Sequence, residues 1–196
     1  MSILTPTKLP VQVSEVAFYD LCCTNPDLRL ERTSKGELII MPPTGGETGE
    51  HNDELSYQLR TWNKRTGLGK CFNAATGFKL PNGSYRSPDA SWVRLDRWEA
   101  LTPEERRGFP PLAPDFVVEL RSPTDKLDKL QKKMQEYQNN GVRLGYLIVP
   151  EEMTDSWQVE IYRINQPKEV IKSPLSLSGE DVLPGLVLDL CEILRG

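Results

Sequence analysis

Pro114-Asp115-Phe116-Val117-Val118-Glu119-Leu120-Arg121-Ser122 decides how the chain reads, because it is too apolar for a surface strand and too charged for an ordinary core one. Side chains alternate between the two faces of a strand. Phe116, Val118 and Leu120 therefore share one face, and Asp115, Val117, Glu119 and Arg121 share the other. Burying unpaired charge is costly. Such a row must pair internally, bind a cation, or line a solvated cleft where it does chemistry.

Downstream, Ser122-Pro123-Thr124-Asp125 places a cap, a proline at the first helical position and an acid three residues from the cap, which predicts a helix starting there. Leu127, Leu130, Met134 and Tyr137 form its buried stripe, with Lys126 and Lys133 along one edge and Gln131 and Gln138 along the other. Gly141 ends it. Val142 to Val149 is a short apolar run of the kind buried in a sheet, so strand, helix and strand make a right-handed crossover between two parallel strands. Trp157 to Tyr162 alternates as an antiparallel edge strand, pairing with Glu169 to Lys172 across Asn165-Gln166-Pro167. Leu175 to Leu194 adds apolar positions without readable chemistry.

Upstream, Ser87-Pro88-Asp89-Ala90-Ser91-Trp92-Val93 reads as a strand with Asp89, Ser91 and Val93 on one face, which makes Asp89 the next inward acid. Cys71 to Leu80 is a strand broken near Thr76-Gly77, and Thr102-Pro103-Glu104-Glu105 caps a short helix in the surface segment 95–112. From about Glu47 the pattern is helical, with Leu55, Leu59 and Trp62 in one stripe and Gly67 to Gly69 at the end. Extended backwards, that stripe reaches His51 and Glu47, polar residues where a core would want leucine. Either they do chemistry, or Glu47 complements the helix dipole and His51 is a hydrogen-bonded core residue. Leu28 to Arg32 and Glu37 to Met41 flank Ser34-Lys35-Gly36 as a hairpin. Ser14 caps a short helix to about Cys22 with Val16, Tyr19 and Cys23 on one face, and residues 1–13 read as a poorly ordered arm.

The chain has 196 residues, 38% apolar and 27% charged, which suits a single soluble domain, 1–196, with no run long enough to span a membrane. Met1 to Pro10 lacks the basic start and apolar block of a secretory signal, so a cytoplasmic location is expected. Cys22, Cys23, Cys71 and Cys191 form no Cys-x-x-Cys pair, which argues against a zinc ribbon or a disulfide scaffold. A net charge of -4 argues against a protein that coats nucleic acid non-specifically, though a local basic patch can still hold a phosphate backbone.

The inward acids are Asp89, Asp115 and Glu119, with Glu47 as a possible fourth and Lys133 on the helix that follows. Clustered carboxylates at strand ends suit magnesium or manganese, hard cations that take oxygen ligands and keep several waters. A cation held there can polarise a phosphodiester and lower the pKa of a bound water, and a nearby lysine can orient that water. That chemistry is a nuclease's. Its rivals are a structural ion-pair row of Asp115 and Glu119 with Arg121, or a glycosidase pair, for which the chain lacks an aromatic-rich sugar surface.

Ser87-Pro88-Asp89, then Pro114 to Ser122, then Gln131-Lys132-Lys133-Met134-Gln135-Glu136-Tyr137 and Gly141-Val142 resemble a large bacterial family of restriction-endonuclease-like proteins within the PD-(D/E)XK nuclease superfamily. The similarity runs from Gly36-Glu37 to about Leu188. It implies an α/β fold with a central mixed sheet flanked by helices, metal ligands at Asp89 and Glu119 with a contribution from Glu47, and magnesium-assisted DNA hydrolysis. The superfamily lysine should stand two residues after Glu119, where this chain has Arg121. Arginine stays protonated and cannot act as a base, though it can clamp phosphate. Lys133 is the candidate for the displaced lysine, and Lys126, Lys129 and Lys133, joined by Arg60 or Lys64, are expected to form a basic surface for the DNA backbone. Since cutting two strands takes two sites, a homodimer is expected. A catalytically silent DNA-binding or interaction module on the same fold is the alternative.

Overall fold

The computed structural model describes residues 7–151, 154 and 156–195. In chain order the elements are β1 (Thr7–Gln12), α1 (Glu15–Thr24), β2 (Arg29–Arg32), β3 (Glu37–Met41), α2 (Gly46–Thr66), β4 (Gly69–Asn73), β5 (Phe78–Lys79), β6 (Tyr85–Arg86) and β7 (Ala90–Arg94). There follow α3 (Leu95–Glu99), α4 (Pro103–Arg107), β8 (Phe116–Leu120), α5 (Leu127–Asn139), β9 (Leu144–Pro150), β10 (Trp157–Arg163), β11 (Glu169–Lys172), β12 (Ser176–Ser178), β13 (Val187–Asp189) and α6 (Leu190–Arg195). None of these helices is long and apolar enough to cross a membrane.

A six-stranded mixed sheet, ordered β11-β10-β9-β8-β7-β4, carries β8 near its centre. Every residue of β8 is buried. It runs parallel to β9 through the α5 crossover and antiparallel to β7. Phe116, Val118 and Leu120 face α2 and α6, packing with Leu55, Leu59, Trp62, Leu190 and Ile193. Val117 faces the other way, into a layer with Met134 and Tyr137 of α5 and Leu147 of β9. The alternation read from the sequence is thus realised as two cores, one on each side of the sheet. Gly145 lets α5 lie close to β9: a Cβ there would come 2.7 Å from Met134 Cε and 3.3 Å from Val117 Cγ2, so the methionine tip would have to move aside.

A second sheet, ordered β1-β3-β2-β6-β5, packs with α1 around Phe18, Leu38 and Tyr85. Residues 7–12 of the expected arm are therefore a strand, paired with β3 and tied down by a Lys8–Glu37 ion pair at 2.5 Å; residues 1–6 of that arm lie outside the described residues. The α1 helix is capped by Ser14 as expected, but its buried residue is Phe18, while Val16 and Tyr19 are exposed. A ten-residue helix has too few apolar positions for spacing to choose between adjacent faces. β10 is interior rather than an edge, since β11 takes that place.

α5 also begins later than the sequence suggests. The Asp125 carboxylate accepts from both the Ser122 N–H at 3.0 Å and the Ser122 hydroxyl at 2.6 Å. The capping chemistry closes a turn, and the helix starts at Leu127 behind Lys126.

Candidate active site

Asp89 precedes β7 by one residue, and continuing the Ala90–Val118 register one step sets it directly opposite Glu119 on β8. Directly opposed residues of an antiparallel pair project to the same face, with Cβ atoms roughly 5 Å apart. The two carboxylates therefore share one side of the sheet, the side covered by α5. Asp89 Oδ2 accepts the Leu120 backbone N–H at 2.9 Å, which anchors it across the strand pair.

Glu119 is 3% exposed, and its Oε1 accepts from the Tyr137 hydroxyl at 3.0 Å and lies 2.8 Å from Lys133 Nζ. Both donors come from α5, four residues apart and hence on one helix face. Lys133 also reaches Glu31 Oε1 at 2.9 Å. Glu31 belongs to β2 in the other sheet and is 3% exposed. Its second oxygen lies 2.9 Å from Arg86 Nη1, while Arg86 Nε donates to Glu136 at 2.6 Å. The Ser87 backbone N–H donates to Glu31 as well, at 2.9 Å. A chain of alternating charge thus runs Glu136, Arg86, Glu31, Lys133, Glu119, and beyond it Asp89 sets a second negative charge against Glu119.

This chain divides the carboxylates by environment. Burial alone would raise Glu31, but the Lys133 and Arg86 cations outweigh it and hold the acid down at about 2. Glu119 goes the other way. Burial pushes it up to about 8; Lys133 opposes that shift, whereas the negative charges of Asp89 and Glu31 add to it. Asp89 is raised too, by burial first, with the Leu120 N–H, Lys133 and Arg29 pulling it back in part. Lys133 is driven firmly cationic: burial works against its charge, and Glu119 and Glu31 overcome that.

Two raised, mutually repelling carboxylates on one face are the donor chemistry of a hard divalent cation, whose charge would relieve both. That much fits magnesium or manganese. The third expected ligand does not join them: Glu47 is exposed in the first turn of α2, and among the described residues no group of three His, Cys, Asp or Glu gathers in metal-holding geometry. The α2 stripe does bury Leu55, Leu59 and Trp62, but at the helix start the chain has left the core, so spacing overextended it. His51 there is 3.8 Å from Glu50.

The remaining sequence candidates separate. Asp115 is 1% exposed at the far end of β8, accepting the Arg94 N–H at 2.9 Å and pairing with Arg97 at 3.0 Å. Arg121 contacts neither acid of the row; its Nε donates to the Asp125 carbonyl at 3.2 Å. The ion-pair row of Asp115, Glu119 and Arg121 is therefore not formed. Lys126 and Lys129 are exposed at the start of α5, but Lys133 is buried and cannot belong to the same solvent-facing basic surface. Arg60 and Lys64 lie on α2, which covers the opposite face of the six-stranded sheet.

Glu31, Arg86 and Arg29 were not singled out from the sequence. Alternation in Leu28-Arg29-Leu30-Glu31-Arg32 does put Arg29 and Glu31 on one face, yet a charged strand face ordinarily means solvent. Only the Lys133 ammonium, reaching across from α5 to Glu31, reveals that this face is covered.

The family model for Uma2, described as "Putative restriction endonuclease", matches residues 16–191. Among solved structures, the chain is similar to the crystal structure described as a putative nuclease belonging to DUF820 from Anabaena variabilis ATCC 29413, at 22% identity and a TM-score of 0.69, over 85% of this chain and 89% of that one. At that identity the likeness speaks for the fold. No curated protein matches the chain.

Proposed function

The chain belongs to the Uma2 family, described as "Putative restriction endonuclease", and from that premise we propose that it is a metal-dependent endonuclease hydrolysing DNA phosphodiester bonds. The observation that carries this reading is the opposed Asp89–Glu119 pair, with Glu119 raised to about 8 beside a lysine clamped between two acids. Asp89 and Glu119 are the carboxylates that would hold magnesium or manganese. Such an ion, when bound, supplies Lewis acidity to the phosphodiester and acidifies an attacking water.

The chain's own residues set the rest. Lys133 enters the reaction as a fixed cation, so it acts by orienting the attacking water and stabilising negative charge on the phosphate rather than by taking a proton. Glu31 is a positioning residue, holding the ammonium against the site while Arg86 holds Glu31. Tyr137 fixes the rotamer of Glu119. Arg121, half-buried past the end of β8, would clamp a phosphate oxygen, and Lys126 and Lys129 would meet the DNA backbone. Attack of water on phosphorus breaks one P–O ester bond and leaves a phosphate end and a hydroxyl end. Two copies of the chain acting together would cut both strands.

Calorimetric titration with magnesium or manganese tests the reading without knowledge of the target sequence. Binding by the wild type, lost in Asp89→Ala, together with nicking of supercoiled plasmid, supports it. The exposed position of Glu47 and the missing lysine after Glu119 favour a second reading, a DNA-binding or interaction module that cuts nothing. Absence of cation binding in the wild type would leave that module standing.

A further inference from the structure

Arg29 is a charged group near Asp89 that the ion-pair chain leaves out. It sits two residues before Glu31 on β2 and so projects from the same strand face, the one turned towards α5. The Arg32–Tyr85 pairing runs β2 antiparallel to β6, which brings Arg29 alongside the segment leading into Asp89. Its Nη2 donates to the Ala74 carbonyl at 3.0 Å, fixing the guanidinium from the side of the loop after β4. Among the described residues its buried Nε–H has no partner. An orphaned buried donor on a charged group costs more than the mean hydrogen bond returns, and calls for a missing acceptor. No carboxylate takes that place: Glu31 is committed to Lys133, Arg86 and Ser87, and Asp89 Oδ2 to Leu120.

We propose that Arg29 is a substrate-binding residue whose guanidinium receives a phosphate oxygen of the nucleic-acid strand beside Asp89. This rests on the endonuclease reading for the identity of the ligand. A guanidinium braced at Nη2 by a backbone carbonyl and left without a protein acceptor at Nε keeps donor capacity in the planar fork that suits a phosphate with two acceptor oxygens. Its positive charge next to Asp89 also offsets the repulsion between an anionic strand and the two acids. Arg29 thus holds the strand that Lys133 and the carboxylates act on.

The test is binding of a short fluorescein-labelled DNA duplex in chelator, read by anisotropy, for the wild type, Arg29→Met and Arg29→Lys, with thermal melts to confirm folding. Arg29→Met should weaken binding by about tenfold and lower the slope of log affinity against log salt by about 1. Arg29→Lys, which keeps charge but not the fork, should restore the slope and only part of the affinity. Neutral methylphosphonates placed along the strand should reveal one phosphate whose neutralisation weakens the wild type but not Arg29→Met. A uniform loss across all positions would overturn the proposal, since it would mean that Arg29 only props the Ala74 loop. Wild-type binding unaltered in both variants, or no wild-type binding at all, would also overturn it. Arg29-dependent binding by a protein that cleaves nothing would support Arg29 while removing the catalytic reading.

Discussion

Lys133 Nζ stands 2.8 Å from Glu119 Oε1, so a helix after the central strand supplies the ammonium that meets the strand's carboxylate. The same nitrogen lies 2.9 Å from Glu31 in the other sheet. The central strand, the helix that follows it and the remote β2 are thereby pinned at one point, and removing the pin has consequences for folding as well as chemistry.

Lys133→Ala should destabilise the fold by about 3 kcal/mol, because it takes the ammonium away from two buried acids, Glu31 and Glu119, at once. Lys133→Met, which keeps the packing of the side-chain stem, should be nearly as costly, and both should lose cleavage. Arg121→Ala, which gives up one contact to a backbone carbonyl, should cost under ~1 kcal/mol. Urea unfolding decides this; a Lys133→Ala loss below about 1 kcal/mol would mean that the ammonium is solvated rather than clamped.

Stability of the metal-free protein should fall as pH rises through neutrality. The folded state holds the Glu119 proton up to about 8, whereas the unfolded chain releases it near the ordinary carboxylate value of 4.5. The contribution is therefore complete below the ordinary value and lost as pH climbs through about 8. Glu119→Gln should flatten that window and raise stability at its alkaline end by a few kcal/mol, on the order set by the size of the shift. Unfolding midpoints measured in chelator across this range check the sign. Glu31 has the opposite one: held at about 2, it stabilises the fold above the ordinary carboxylate value and loses that contribution as pH falls through about 2.

Asp115→Asn should lower stability by about 1–3 kcal/mol without touching cation binding. Its carboxylate serves Arg94 and Arg97 at the far end of β8. A calorimetric titration in which the variant loses manganese binding as Asp89→Ala does would show that the two ends of the strand are not independent.

Replacing Lys126 and Lys129 together by glutamine should weaken DNA binding uniformly across sequences and reduce the salt slope by about 2, near one released counterion for each lysine. Both are exposed at the start of α5. An unchanged slope would place the DNA elsewhere on the surface.

Local chemistry was legible wherever one element carried its own signal. β8, the α5 stripe, the parallel β9 and the Asp89 strand follow from alternation and spacing, because a central strand flanked by a crossover helix leaves few arrangements open. That Asp89 and Glu119 lie on one inward face of neighbouring strands was read from alternation, whereas their direct opposition comes from the β7–β8 register. What a single chain could not show is which face of a charged strand is covered. Glu31 and Arg29 look like surface residues until Lys133 is seen to reach across from α5 to Glu31, and Glu47 looks inward until the first turn of α2 is seen to leave the core. Arg86 and β6 are too short a segment to register as a strand at all. The sequence by itself determined the central sheet, its crossover and two of the acids, because periodicity is a local property of the backbone. Only the tertiary structure decided which charges pair, because the partner that makes a buried ion affordable comes from an element remote in sequence, and nothing in the spacing of residues along one strand records what another sheet will set against it.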